Sequence, residues 1–186
     1  MRLTDKVHQI LTDHLQTGDL AIDATAGNGH DTLFLAEQVG GDGHVIAIDI
    51  QESAIESTRQ KLRTKEFEDR VTLQQDDHAS QLEGLIEPHH EAVATIVFNL
   101  GYLPGSDKAV QTNSANTHKA LEASIRLLRP GGILCVTAYR GHPGGPEEAK
   151  AVEDWMRSKE IYGHTIECHK PPSSNTPPIL WVLRKA

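Results

Sequence analysis

Asp23-Ala24-Thr25-Ala26-Gly27-Asn28-Gly29 follows a short apolar run at residues 20–24 and precedes an amphipathic stretch at about 29–39. A strand that enters a glycine-containing loop and then a helix leaves the first helical N–H groups unpaired, and the glycines let a ligand approach the backbone closely. Such donors suit a carboxylate or a phosphate. A dinucleotide pyrophosphate normally asks for a third glycine in G-x-G-x-x-G, and Thr32 stands at that position, so nicotinamide-dependent oxidoreduction is disfavoured.

Outward from this loop the chain alternates apolar strands with amphipathic helices. Residues 20–24, 45–49, 71–74, 93–99 and 133–138 read as strands, with helices at about 29–39, 52–65, 78–86 and 115–128. This order predicts a parallel sheet with right-handed crossovers and helices on both faces. A further helix at 146–159 precedes strands at 162–169 and 179–184, and the polar, proline-rich segment 171–178 between them is too short for a helical crossover. The last pair is therefore expected as an antiparallel hairpin at the sheet edge, giving seven strands, most of them parallel. Segment 171–178 reads as a rim of the site. At the N-terminus, Val7, Ile10, Leu11 and Leu15 recur at helical spacing, with Thr4 and Asp5 as candidate caps, predicting a helix that ends near Gly18 and covers a sheet edge.

With 186 residues and 38% hydrophobic composition, residues 1–186 are expected to form one domain able to bury a core without disulfides or structural metal. Cys135 and Cys168 read as reduced thiols, which with the absence of a long apolar run predicts a soluble cytoplasmic protein with no membrane association. The formal charge of −8 lacks the signature of a protein that binds nucleic acid by general phosphate neutralisation, so an RNA substrate would have to be held locally. Eleven histidines invite a metal reading, but none forms H-x-x-x-H or joins a cysteine pair at zinc spacing, and no metal is expected.

The expected cofactor residues follow strand ends. Ala26, Gly27, Asn28, Gly29 and Asp31 belong to the loop and the first helical turn. Asp49 closes the second strand, where a carboxylate can accept both ribose hydroxyls of an adenosine-containing cofactor; the alternative is a helix N-cap. Gln51 could close over the ribose or lie in solvent. In Gln75-Asp76-Asp77-His78, Asp77 could hold an adenine amino group and His78 stack on its face, against the alternative of simple capping by Asp76 or Asp77. The fourth strand ends in Phe98-Asn99-Leu100-Gly101-Tyr102-Leu103-Pro104-Gly105, at the edge where open α/β sheets bind ligands. Asn99 Oδ1 and the Leu100 carbonyl are candidate acceptors for an amine held in line with a methyl donor, and Tyr102 is a candidate to stack on a base or to pack beneath the loop. This run resembles the Asn-Pro-Pro-Tyr motif of amino-methylating enzymes, with Leu100-Gly101 in place of the prolines.

Together with Tyr139-Arg140-Gly141-His142-Pro143-Gly144-Gly145, these stretches resemble the bacterial family long labelled "putative rRNA methylase", over nearly the whole chain. The resemblance implies a Rossmann-like class I methyltransferase that uses S-adenosyl-L-methionine. It also implies the substrate now associated with the family, the aminomethyl group of 5-aminomethyluridine at the tRNA wobble position, methylated to 5-methylaminomethyluridine. Tyr139 and Arg140 would then contact the anticodon region, and His142 could assist amine deprotonation or simply be a hydrogen-bonded loop histidine. Lys108, Lys150 and Arg157 could add a basic rim or be ordinary solvated surface. The family's later Asn-x-x-Asn-x-Pro-Pro pattern survives only as Asn175-Thr176-Pro177-Pro178, with Asn175 the candidate contact. The rival readings are an rRNA base or small-molecule methyltransferase and a non-catalytic cofactor-binding adaptor. A homodimer is left open.

Overall fold

The computed structural model describes residues 2–101, 114–171 and 177–186. Seven strands form one sheet: β1 (Leu20–Asp23), β2 (His44–Asp49), β3 (Val71–Gln75), β4 (Val93–Leu100), β5 (Leu128–Ala138), β6 (Thr165–His169) and β7 (Ile179–Arg184). Their order is β3-β2-β1-β4-β5-β7-β6, parallel except that β7 runs antiparallel to both β5 and β6. The sheet therefore matches the expected arrangement, including the edge hairpin.

Among the described residues six helices cover it: α1 (Leu3–Thr12), α2 (His30–Val39), α3 (Glu52–Lys65), α4 (His78–His89), α5 (Ser114–Leu127) and α6 (Gly145–Lys159). Side chains alternate across each strand, so the sheet separates two apolar clusters. Ala21, Val45, Ala47, Val97, Ile133, Cys135 and Val182 join Val7, Leu11, Leu35, Val39 and Leu62 from α1, α2 and α3. On the other face Ile22, Ile48, Ile96, Phe98, Leu134 and Trp181 join Leu82, Leu121, Leu127, Val152 and Met156 from α4, α5 and α6. The central strand β4 is buried at every position except Asn99, which is half-buried. A strand enclosed on both faces needs a near-continuous apolar run, and residues 93–98 supply it.

Several boundaries differ from expectation. α1 stops at Thr12, not near Gly18, because the chain turns through residues 13–18 with Gly18 at φ 92°. Its N-cap is Arg2, whose backbone N–H is accepted by the Asp5 carboxylate at 3.1 Å, so Thr4 and Asp5 are not the cap itself. Nor does α1 guard an edge: Val7 and Leu11 join the cluster of the central strands, and His14 Nε2 lies 3.1 Å from the Ala94 carbonyl of β4. β5 begins at Leu128 rather than 133 because Pro130-Gly131-Gly132 is absorbed as an irregularity opposite Val93 and Thr95. α4 runs on to His89 with Pro88 in its final turn, so position 88 supplies no N–H to the Gly84 carbonyl and the helix ends one residue later. Residues 160–162 form a 3-10 turn, so β6 starts at Thr165.

Candidate functional site

The strand order reverses between β1 and β4, and the crevice outside their carboxyl ends is where open α/β sheets bind ligands. Thr25 Oγ1 accepts the Asn99 N–H at 2.7 Å, tying the loop after β1 to the end of β4 across that crevice.

The loop is held from both sides. Ala26 N–H donates to the Ile48 carbonyl at 2.8 Å, and Gly27 N–H donates to Asp49 Oδ2 at 2.8 Å. Asp49 Oδ1 accepts the Gln51 N–H at 2.9 Å, and Gln51, not Asp49, is the N-cap residue of α3. Asp49 thus braces the loop rather than capping the helix, and its oxygens keep lone pairs for ribose hydroxyls. The half-buried side chain of Gln51 follows it, and Asn28 is half-buried in the turn. Gly27 takes φ 53° and Gly29 φ 77°, the left-handed region that glycine occupies without strain. Gly29 also serves packing, since a Cβ there would meet Thr58 Cα of α3 at 2.8 Å.

Beneath the loop Asp23 is fully buried. It accepts the Thr32 hydroxyl at 2.6 Å and the Thr25 N–H at 3.2 Å. Burial, with the nearby Asp31 carboxylate, pushes its pKa up to about 7. Thr32, the residue standing where a dinucleotide site wants glycine, is thus a structural donor.

Asp31 is not limited to a ligand-facing role. Its Oδ2 accepts Asn99 Nδ2 at 2.7 Å, while its Oδ1 lies 2.7 Å from His8 Nε2. A carboxylate can only accept, so the Asn99 amide nitrogen must face Asp31 and Oδ1 must face the other way. Asn99 consequently presents an acceptor at the end of β4, as an amine substrate requires. The Leu100 side chain is fully buried, and its carbonyl accepts the Tyr139 N–H at 2.9 Å. One lone pair of the second expected acceptor is therefore already used by the sheet.

The segment after β5 packs on the same edge. Tyr139 is 41% exposed, and burial of its hydroxyl together with Asp31 raises its pKa. A Cβ on Gly101 would lie 3.2 Å from Tyr139 Cβ and 3.6 Å from His142 Nε2, so this glycine makes room for both. His142 is buried, with Nδ1 3.1 Å from the Pro143 carbonyl, which fits the loop-histidine alternative. Arg140 Nε donates to the Pro177 carbonyl at 2.8 Å, pinning this segment to the rim before β7. Tyr102, Lys108 and Asn175 lie outside the described residues.

Two expected adenine contacts are engaged otherwise. Asp77 caps α4, accepting from Ala79 N–H at 3.0 Å and Ser80 N–H at 3.2 Å through Oδ1, while Oδ2 accepts Asn116 Nδ2 at 3.0 Å. His78 is buried edge-on against Phe98, with centroids 5.8 Å apart, instead of offering an open face, and burial lowers its pKa. Lys150 pairs with Asp154 and Arg157 with Glu153 along α6, as solvated surface charges do.

The donor set suits S-adenosylmethionine. Among the described residues no Lys or Arg is ion-paired with Asp23, Asp31 or Asp49. Asp31, held by His8 and Asn99, and Asp49 bring carboxylates to the crevice, which favours a sulfonium, and Asp49 stands beside the Gly27 loop where ribose hydroxyls would be accepted. The roles of Thr25, Thr58 and His8 escaped the sequence reading because their partners are far away in the chain, whereas Asp23–Gly29, Asp49 and Asn99 stood out as strand ends.

Comparison with known proteins agrees with this geometry. Residues 45–184 match the family model described as "Putative rRNA methylase", and residues 2–84 also match that of protein-L-isoaspartate O-methyltransferase. The "tRNA (mnm(5)s(2)U34)-methyltransferase, chloroplastic" of Arabidopsis thaliana is 43% identical over 161 residues, covering 82% of this chain and 58% of that protein. The chain spans about half the length of the curated relatives it matches. A solved "putative rRNA-methylase" from Clostridium thermocellum is 34% identical with a TM-score of 0.92, covering 100% of this chain and 98% of that one. A Streptococcus mutans "putative methyltransferase", solved in complex with SAH, is 33% identical with a TM-score of 0.87, covering 100% and 99%. With the glycine loop, the Asp49 brace and the Asn99 acceptor on a class I methyltransferase sheet, the chain belongs to the family described as "Putative rRNA methylase".

Proposed function

We propose that this chain is an S-adenosylmethionine-dependent methyltransferase acting on RNA, and that it methylates the aminomethyl nitrogen of 5-aminomethyluridine at the tRNA wobble position. The observation that carries the reading is the Asn99 amide, fixed by Asp31 so that Oδ1 is an acceptor at the end of β4. The relative named for a tRNA wobble methyltransferase supports the choice of substrate over the rRNA of the family description.

The bound cofactor supplies an electrophilic methyl group on a positively charged sulfur. The chain's own part is orientation. Gly27 and Asp49 hold the cofactor side of the crevice, and Asn99 Oδ1 accepts an N–H of the substrate amine. That hydrogen bond would turn the amine's lone pair toward the methyl group that the cofactor supplies when bound, and the methylated nitrogen would keep its two N–H protons as an ammonium. Tyr139, partly exposed at the same edge, gives the base a wall. No covalent enzyme intermediate is required, and Cys135, whose thiol burial pushes up to about 12, is chemically silent.

The test is transfer of labelled methyl from S-adenosylmethionine to tRNA from cells lacking this protein, followed by nucleoside mass spectrometry. Conversion of 5-aminomethyluridine to its N-methyl product is expected. Label in rRNA fragments but not tRNA would favour an rRNA base methyltransferase, and cofactor binding without transfer to any RNA would favour an adaptor. An aliphatic amine reacts only when uncharged, so turnover should rise with pH; flat activity from about pH 6.5 to 9 would count against amine methylation.

A further inference from the structure

We infer that His8, on the N-terminal helix α1, is a positioning residue for methyl transfer, acting on Asn99 through Asp31. The inference deepens the proposed function and rests on it for the identity of the reaction.

Three side chains far apart in sequence form one line. His8 Nε2 lies 2.7 Å from Asp31 Oδ1, and Asp31 Oδ2 accepts Asn99 Nδ2 at 2.7 Å, across separations of 23 and 68 residues. Asp31 cannot donate, so His8 must supply an N–H from Nε2, as it does in its Nε2–H tautomer or protonated. The imidazole is itself pinned: it stacks on Phe34 of α2 with ring centroids 3.9 Å apart and planes 4° from parallel. The Asp31 side chain is 13% exposed and that of His8 30%, so the line runs from near the surface to the catalytic crevice.

Each contact removes a freedom that the reaction cannot tolerate. Asn99 is the penultimate residue of β4, and its backbone is fixed by Thr25 and by the ladder to β5, but its amide can still rotate. Asp31 decides which amide atom faces the substrate. A lone carboxylate in the first turn of α2 can itself swing between rotamers; with one oxygen held by His8 and the other by Asn99, it has one. Supporting residues locked by their own packing hold a reacting group within the fraction of an ångström that in-line transfer demands. Without His8, Asp31 would be held at one oxygen, and the Asn99 carbonyl oxygen would lose its fixed direction. Gly27 and Asp49, proposed to hold the cofactor, are hydrogen-bonded to each other and not to His8 or Asp31, so cofactor affinity should change little.

The experiment compares wild type, His8→Ala and His8→Gln in the full chain. Gln can place an N–H donor near the Nε2 position. For His8→Ala we expect a fall in kcat of about 10- to 100-fold, with the Kd for S-adenosylmethionine within about twofold by calorimetry, and recovery of most of the rate in His8→Gln. In parallel, the Asn99 side-chain amide signals, assigned by their disappearance in Asn99→Asp, should shift and broaden in His8→Ala and return toward wild type in His8→Gln. Unchanged kcat in His8→Ala would overturn the inference. So would an unchanged Asn99 amide signal, or equal loss in the Ala and Gln variants together with lost cofactor binding. If wild type itself shows no transfer to tRNA, the proposed substrate fails, and the amide signals alone decide whether His8 positions Asn99.

Discussion

Asn99 and Asp49 sit about the same crevice, but their losses should be distinguishable. Asn99 hydrogen-bonds the glycine loop through its backbone N–H to Thr25 and the first turn of α2 through its side-chain amide to Asp31. On the proposed reaction, Asn99→Ala should therefore lower kcat about 100-fold while leaving the cofactor Kd within about threefold, because the acceptor proposed for the substrate amine is removed and the cofactor cradle is not. Asp49→Ala should do the reverse. It strips the acceptor from both Gly27 N–H and Gln51 N–H, so cofactor affinity should fall at least tenfold and stability by about 1–3 kcal/mol, the range for leaving partly buried donors unpaired. Calorimetric titration beside steady-state kinetics separates the two; a shared pattern of loss would mean that Asn99 belongs to the cofactor site instead. The same residues mark the limit of sequence reading. Asp49 and Asn99 were legible because each ends an apolar strand. Asp31 and Asp77 were equally acidic and equally close to a helix start, yet one became a link to Asn99 and the other a helix cap, a choice made by distant partners such as His8 and Asn116.

At the scale of elements, periodicity sufficed wherever one face of a helix or both faces of a strand were buried. β4 and β7 are near-continuous apolar runs, and both were recovered to within a residue. It failed where tertiary pairing overrode a local signal: Pro130-Gly131-Gly132 reads as a turn but is carried into β5 by its irregular register with β4. The α2–α3 contact offers a sharper test of element packing. Gly29 opens α2 at φ 77°, and an added Cβ would lie 2.8 Å from both Thr58 Cα and Thr58 Oγ1. Two independent obstacles, a left-handed backbone and a collision with helix backbone, should make Gly29→Ala destabilising by roughly 2–4 kcal/mol. Urea unfolding of the variant measures this directly, and a loss under about 1 kcal/mol would show that α3 can shift away at little cost. A sequence reading assigns this glycine to the ligand; only the packing of α3 reveals its other duty.

For the whole molecule, the buried Asp23 at the carboxyl end of β1 couples stability to pH. Its ordinary pKa in an unfolded chain is 3.8, and burial with the neighbouring Asp31 raises it to about 7 in the folded protein. The folded state therefore holds a proton that the unfolded state has released across that interval, so this group's contribution is fully present below about pH 3.8 and declines as pH rises through about 7. His14 and His78 act in the opposite sense. Burial lowers both, so their contribution is present above the ordinary histidine value of 6.5 and is lost as pH falls. The wild-type profile alone would mix the two slopes, and the informative quantity is its difference from Asp23→Asn, which keeps an amide of similar shape beside Thr25 and Thr32 but cannot ionise. Chemical unfolding of both proteins from pH 5 to pH 8 should show wild type losing ground to the variant as pH rises. A difference that stays flat, or that moves in wild type's favour, would mean that Asp23 is ionised throughout, and the Thr32 and Thr25 hydrogen bonds would then be stabilising a buried carboxylate beside the site that binds a cation.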